Sequence, residues 1–362
     1  MDLYTKTPSS TRARQHCPGD CTLRLRRIGI KWHLLTFDRL NDGSYYAQVN
    51  INMAVPDARM AALNAFTSIT HGQTVPANLH VTDRLGGDFT VLILGAGEGI
   101  GEHIAYAYAK AGASTIVLAA RRLANLKLVR DKILATCNGN AAAPVKVEVA
   151  TVDISSSSSM QELADFLKSE IIKLDCVILN AAYAPPVLLK THLDKPEDVQ
   201  RAFDVNAMGT FHAAHYFVPM LLEATDGAKQ FIAISSMAAG IRRGHIANMG
   251  YCVAKMTQAR MIEYLSEQYA DQGLFSIAVH PGAVNTSMAN GNTPETFLKY
   301  LVDDINLCGA WCVWLSRTLQ KNVAKIRWLN GRFASATWDV DELLAKRESI
   351  ENEDLLKFAM AL

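Results

Sequence analysis

Tyr251 and Lys255 stand four residues apart in the run Gly250-Tyr-Cys-Val-Ala-Lys255. On a helix that spacing stacks the two side chains on one face. A free phenol has a pKa of about 10, too high to trade protons readily near neutral pH. A neighbouring ammonium favours the phenolate and lowers that value. The pair could therefore form a tuned acid/base, although the same spacing also describes many surface helix pairs. Ser236 precedes Tyr251 by fifteen residues. Its hydroxyl could donate to a substrate carbonyl while Tyr251 delivers a proton, which is general acid catalysis with stabilisation of the developing alkoxide.

The elements that must hold these residues are read from apolar runs. Thr90–Leu94, Thr115–Ala119, Val145–Val152, Leu174–Leu179, Gln230–Ile234 and Phe275–Val279 are short and apolar, as parallel strands buried on both faces are. Helical segments alternate with them near 100–111, 122–136, 160–172, 196–224 and 251–271. Ser155–Ser159 supplies a loop and an N-cap for the third of these helices. Strands alternating with helices predict an α/β fold, a Rossmann-type doubly wound parallel sheet with helices on both faces. In such sheets ligands bind at the carboxyl ends of the strands, and Ser236 follows the fifth.

The first strand runs into Gly95-Ala-Gly97-Glu-Gly99-Ile100-Gly101. Glycines at a strand–turn–helix junction let a pyrophosphate approach the backbone, where the helix amides favour its charge. Arg121 follows the second strand, where a ribose 2′ group would lie. An arginine suits the 2′-phosphate of NADP, whereas an acid would suit the 2′-hydroxyl of NAD. Glu98, inside the turn, would oppose that phosphate. Asp153, after the third strand, could accept from an adenine amino group or could simply cap a helix. Asn180-Ala181-Ala182 ends the fourth strand and would lie against the adenosine ribose.

Composition sets the outer limits. With 49% hydrophobic and 20% charged residues, the 362-residue chain reads as a globular protein with a large core. A formal net charge of +1 argues against a nucleic-acid partner. No apolar run reaches the ~18 residues of a membrane span. The seven cysteines read as reduced thiols of a cytoplasmic protein. Cys17/Cys21 and Cys308/Cys312 are each four apart, without the further ligands a zinc site needs, so no metal is expected. Residues 1–85 form an N-terminal extension, poorly ordered or peripheral, and 86–362 form the nucleotide-binding domain. Residues 1–31 carry many Arg and Lys but only Asp2 and Asp20 as acids, a composition faintly like an organellar presequence that Cys17-Pro-Gly-Asp-Cys21 interrupts. Met53 is an alternative start, and 56–68 could form a short helix.

Together these residues resemble the short-chain dehydrogenase/reductase family over residues 86 to about 340, with a looser likeness to its fungal members over Trp328–Asp341. The family's Thr-Gly-x-x-x-Gly-x-Gly falls on Leu94-Gly95-Ala-Gly-Glu-Gly99-Ile-Gly101, and its Asn-Asn-Ala-Gly on Leu179-Asn180-Ala181-Ala182. Its active-site Asn, Ser, Tyr and Lys fall on Asn206, Ser236, Tyr251 and Lys255. Its Pro-Gly-x-Val-x-Thr falls on Pro281-Gly282-Ala-Val284-Asn-Thr286. Leu94 and Ala182 depart from the pattern. The Ser-to-Tyr interval is about two residues longer than usual and contains Ile241-Arg242-Arg243-Gly-His245, which leaves Ser235 and Ser236 both open as the working hydroxyl.

The resemblance implies hydride transfer between a nicotinamide and a carbonyl or secondary alcohol, with Tyr251 as acid/base. It implies that Lys255 lowers the Tyr251 pKa and binds the nicotinamide ribose, that Asn206 holds a relay water, and that Pro281, Gly282, Val284 and Thr286 frame the nicotinamide. It also implies a homodimer or homotetramer through the 200–224 and 251–271 helices. The resulting expectation is an oxidoreductase using NADP(H), with NAD(H) as the second choice. The alternative is a dinucleotide-binding regulator without turnover. The substrate would meet loops 183–195 and 237–249 and the segment after Thr286, including Tyr183, Pro185, Pro186, His245 and Met288, and His192 and His245 could each be a substrate contact or simply a surface or loop histidine. These residues identify no compound.

Overall fold

The computed structural model describes residues 62–79, 84–137, 145–170, 172–188, 190–224, 227–241, 247–293 and 298–360, together with the backbone of two strands at 35–39 and 45–49. The chain divides into two units, Met1–Pro56 and Asp57–Leu362. In the first, β1 (Leu35–Arg39) and β2 (Tyr45–Val49) pair antiparallel, with Phe37 opposite Ala47.

The second unit opens its alternation with β3 (Thr90–Leu94) and α1 (Gly99–Lys110), then β4 (Thr115–Ala120) and α2 (Leu123–Cys137). There follow β5 (Lys146–Thr151), α3 (Ser157–Ser169), β6 (Cys176–Leu179), α4 (Pro196–Phe203) and α5 (Gly209–Glu223). The chain then forms β7 (Gln230–Ile234), α6 (Met249–Tyr269), β8 (Phe275–His280) and α7 (Ser287–Asn292). It closes with α8 (Leu307–Asn322), β9 (Phe333–Ser335), α9 (Val340–Ala345) and α10 (Arg347–Asn352).

Local chemistry sets several boundaries. Pro196 opens α4, where its missing N–H costs nothing. The Ser156 hydroxyl accepts from the Ser159 amide at 3.2 Å, so the serine tract caps α3 and then forms its first turn. The Asn248 side chain accepts from the Gly250 amide at 2.7 Å and starts α6 about two turns before Lys255.

Seven strands form one parallel sheet in the order β5-β4-β3-β6-β7-β8-β9. Alternate side chains face opposite layers. Val91 and Ile93 join the core built with α1, α2 and α8, whereas Leu92 and Leu94 join the core built with α3, α5 and α6. Strand order reverses between β3 and β6. The ends of those two strands carry Gly95 and Asn180, at the switch point where doubly wound sheets bind ligands.

Two elements differ from the sequence expectation. β9 adds a seventh strand to the six expected, pairing Phe333 with Ala278. The helices expected near 196–224 are α4 and α5, joined by an unexpected π turn, Asp204–Met208.

Residues 62–79, expected to belong to the extension, are tied into the second unit, so the anticipated break at 85/86 lies inside it. Trp338 Nε1 donates to the Leu63 carbonyl at 2.8 Å, and the Phe66 and Trp338 rings lie 4.7 Å apart. Thr70 bridges Trp338, and Leu79 is 1% exposed in the core. A helical turn spans 62–64. The presequence-like stretch, Cys17, Cys21, Met53 and the start of the expected 56–68 helix lie outside the described residues.

Candidate active site

The glycine turn is packed where a side chain could not fit. Gly95 has φ +92°, and a Cβ there would lie 2.5 Å from the Ala181 amide nitrogen. A Cβ on Gly101 would lie 2.0 Å from the Gly95 carbonyl oxygen. Asn180 Nδ2 donates to that carbonyl at 2.9 Å and ties the two strand ends together. Glu98, the N-cap of α1, is extended and gives no side-chain cap. The first-turn amides of a twelve-residue helix are thus left without a side-chain acceptor, an arrangement that accepts a phosphate.

A cavity of about 500 Å³ opens above this turn. Gly95, Gly97, Gly99, Ile100, Arg121, Asp153, Asn180, Ala181 and Thr286 all line it. Arg122 Nη2 pairs with Glu98 Oε1 at 2.5 Å, which sets a cation against the acid that would oppose a 2′-phosphate. Both partners are exposed, so the pair itself stabilises the fold by no more than about 1 kcal/mol. Asp153 Oδ1 accepts from the Ser155 amide at 3.0 Å and its hydroxyl at 2.6 Å. Burial opposes the charged Asp153 more than any other single cause. The Ser155 bonds, with Arg121 and Arg201, nevertheless hold its carboxyl below the usual range.

Thr286 spans the far wall. Its hydroxyl accepts from the Ala289 amide at 3.2 Å, and its methyl would meet a Cβ on Gly99 at 3.5 Å. Tyr183 and Met288 share the lining. The Tyr183 hydroxyl donates to Asp198 at 2.8 Å, and the Arg201 guanidinium lies 4.5 Å over its ring. Pro186 offers its carbonyl to Asn248 Nδ2 at 3.1 Å. His192 is exposed, and Arg242, Arg243 and His245 lie outside the described residues.

Ser236, Tyr251 and Lys255 come together beside the end of β7, off the cavity lining. Ser236 caps a 3-10 turn, Met237–Gly240, through the Ala238 amide at 3.1 Å, and also bonds the Tyr251 hydroxyl. Ser235 is buried with its hydroxyl unpartnered. Ser236 is therefore the serine that faces Tyr251. Lys255, 1% exposed, donates from Nζ to the Ile234 carbonyl at 2.8 Å and to Gln258 Oε1 at 3.0 Å. Its Nζ lies 5.9 Å from the Tyr251 ring centroid.

That placement departs from the expected lowering of the Tyr251 pKa. The ammonium lies over the ring face rather than at the hydroxyl. Burial pushes the Tyr251 phenol up to about 12, opposed by the Ser236 bond. Burial also pulls Lys255 down to about 7.

Asn206 lies in the π turn, 1% exposed, and its side chain is engaged by Tyr183 and Ala202. Nδ2 donates to the Tyr183 and Ala202 carbonyls at 2.7 and 2.9 Å, and Oδ1 accepts from the Tyr183 amide at 3.2 Å. It clamps the chain just after Ala182.

Pro281, Gly282 and Val284 leave β8 in a turn held by a residue the sequence did not mark. Asp303 Oδ2 accepts from the Ala283 amide at 2.5 Å, and its own amide donates to the Ala283 carbonyl at 3.1 Å. Gly282 has φ +101°, and a Cβ there would meet Asp303 Oδ2 at 2.8 Å. No periodicity or spacing could have signalled Asp303, because it reaches the turn through tertiary packing. His280 was also missed. Its Nδ1 accepts from the Met237 amide at 3.2 Å, and burial pulls it down to about 4. Its signal was available, as the polar end of an apolar strand.

The family model for short chain dehydrogenase matches residues 89–296. The chain belongs to the short chain dehydrogenase family. It is 37% identical over 305 residues to the short chain dehydrogenase pgmD of Aspergillus terreus, covering 82% of this chain and 94% of that one. It is 31% identical over 295 residues to the short chain dehydrogenase mpl6 of Monascus purpureus, covering 82% of this chain and 96% of that one. Among solved structures, a 3-oxoacyl-[acyl-carrier protein] reductase of Brucella melitensis with bound NAD superposes with a TM-score of 0.60. At 19% identity, with 74% of this chain and 99% of that one covered, that likeness shows the fold. The protein is thus an oxidoreductase of the short chain dehydrogenase family. Among the described residues no helix is long and apolar enough to cross a membrane, and no cluster of metal-ligating side chains occurs.

Proposed function

We propose that this protein is an NADP(H)-dependent reductase or dehydrogenase that interconverts a carbonyl and a secondary alcohol, with Tyr251 as the acid/base. The observation that carries the reading is the meeting of Ser236, Tyr251 and Lys255 at the end of β7, on the carboxyl side of a sheet whose switch point carries the glycine turn.

The residues present fit a dinucleotide. The pyrophosphate would lie on the amides of α1, against Gly95, Gly97, Gly99 and Ile100. Gly101 lies beneath them and lets α1 approach β6. Arg121 would take the 2′-phosphate. Asp153, Asn180 and Ala181 would bound the adenosine, and Pro281, Gly282, Val284 and Thr286 the nicotinamide. When bound, the dinucleotide supplies or accepts the hydride.

The chain's own groups move the proton. A phenol at about 12 is protonated at neutral pH, the form a proton donor needs. The Ser236 hydroxyl orients it and can donate to the same substrate oxygen. As negative charge grows on that oxygen, two donors in a partly dry site stabilise it. Lys255 would bond the nicotinamide ribose through Nζ, which lies 5.9 Å from the Tyr251 ring centroid. Asn206 fixes the 181–184 segment on the cofactor side.

The test is consumption of NADPH and NADH against a panel of ketones, aldehydes and secondary alcohols, with Tyr251→Phe in parallel. The variant should lose about 100-fold or more in kcat while binding the dinucleotide with near wild-type affinity. Full turnover by Tyr251→Phe would remove Tyr251 from the mechanism.

A further inference from the structure

Gln258 is 0% exposed on α6, three residues beyond Lys255, so the two side chains meet on one helix face. Burying a primary amide is costly unless both its ends are bonded. Here both are. Oε1 accepts from Lys255 Nζ at 3.0 Å, and Nε2 donates to Thr210 Oγ1 at 3.0 Å. Thr210, 0% exposed in the first turn of α5, donates in turn to the main-chain carbonyl of Asn206 at 2.7 Å. Donation runs one way, from ammonium to amide to hydroxyl to carbonyl. An ammonium cannot accept, so the Gln258 amide can present only its oxygen to Lys255. The chain ends in the π turn whose Asn206 side chain clamps Tyr183. A single π turn inside helical structure is a frequent mark of function.

We propose that Gln258 is the positioning residue of Lys255: its amide oxygen fixes where the ammonium sits and joins it, through Thr210, to the Asn206 turn. A leucine at 258 would pack in the same space without any polar group to satisfy, so the glutamine is explained by what it bonds. Accepting from Nζ, its dipole favours the charged form and so opposes burial, which pulls Lys255 down to about 7. The groups facing the ammonium are few. Its own helix presents Tyr251 at 5.9 Å and Gln258, and β7 presents the Ile234 carbonyl. Among the described residues, α5 reaches it through Thr210, by way of Gln258.

The role rests on Lys255 being the lysine of the proposed reaction, but its test need not. Full-length protein carrying ¹³C at the lysine Cε is titrated by NMR, with the Lys255 signal assigned by its loss in Lys255→Met. Gln258→Leu removes an acceptor from the charged form and should move the Lys255 midpoint down by about one unit. Gln258→Glu sets a carboxylate in the same place and should move it up by about one unit or more. The alkaline limb of kcat/KM should move in the same order. Opposite shifts from the two variants are not what a merely structural glutamine gives.

If both variants leave the Lys255 midpoint unchanged, the proposal fails. Should Gln258→Leu not fold, Gln258→Glu decides alone, and no upward shift overturns the role. If the midpoints move as expected while Tyr251→Phe still turns over, the reaction proposed above fails and the positioning role stands.

Discussion

At the scale of single residues, the proposed preference for NADP rests on one guanidinium. Arg121 lines the cavity, while Arg122 is held by Glu98 at 2.5 Å. A charge-assisted bond contributes about 1.5–3 kcal/mol, so Arg121→Ala should weaken NADPH by roughly 10–100-fold. NADH binding should change little. Fluorescence titration of the two nucleotides measures this directly, and an unchanged NADPH-to-NADH ratio would sink the NADP assignment. That Arg121 lines the cavity could be anticipated because it directly follows an apolar strand, at a carboxyl end of the sheet. The glycines were legible for a similar reason, as a tight turn between strand and helix needs them. Gln258 and Asp303 were not legible. Each acts through a partner brought near by packing, and a lone Gln or Asp carries no spacing that distinguishes it from a surface residue. The Tyr251–Lys255 pair was found, but its electrostatics were misjudged. Sequence spacing gives proximity; it does not give burial, and here burial sets both pKa shifts.

At the scale of elements, the strand–turn–helix of β3 and α1 is the unit that has to be rigid. Gly95 packs backbone against backbone on Ala181, whereas Gly97 has its nearest neighbour, Asn125 Cβ, at 3.3 Å from a built Cβ. Gly95→Ala should therefore destabilise the protein by about 2 kcal/mol or more, from the left-handed φ and the clash with a main-chain nitrogen. It should also abolish dinucleotide binding. Gly97→Ala should cost no more than about 1 kcal/mol. Urea unfolding of the two variants checks the order, and equal losses would mean that β6 yields to β3. Six strands of this sheet could be read because each is an apolar run bounded by turn residues. β9 could not, since three residues, Phe333–Ser335, are too few to show a period. The π turn was hidden for another reason: Asp204–Met208 carries no glycine or proline to mark it, and Asn206 within it bonds Tyr183 outside the helix.

At the scale of the whole molecule, the second unit holds its C-terminal segment with an arm that comes before the sheet. His71 Nε2 pairs with Asp339 Oδ2 at 2.9 Å, and the Ser68 hydroxyl donates to Glu342 at 2.6 Å. The Asp304 amide donates to the Gly72 carbonyl at 2.6 Å, next to the Asp303 that holds Ala283. This arm links the start of the unit, the β9–α9 corner and the turn expected to frame the nicotinamide. Composition could not reveal it. Residues 62–79 alternate small, polar and apolar residues without a period, and their order depends on Trp338, more than 250 positions away. A chain beginning at Met53 keeps the arm, whereas one beginning at Leu85 uncovers Trp338 and removes buried Leu79. Losing Leu79 and the Phe66–Trp338 contact should cost at least about 3 kcal/mol. For a chain of this size that is a fall of roughly 4–5 °C in Tm. The Met53 chain should melt at least as high as the full chain less about 2 °C. Leu79→Ala in the full-length protein isolates the packing part, with an expected loss of about 2–5 kcal/mol. Differential scanning calorimetry of the four proteins decides the matter. If the chain starting at Leu85 melts with the Met53 chain, the arm is a passenger and the turn at Pro281–Val284 is held by Asp303 alone.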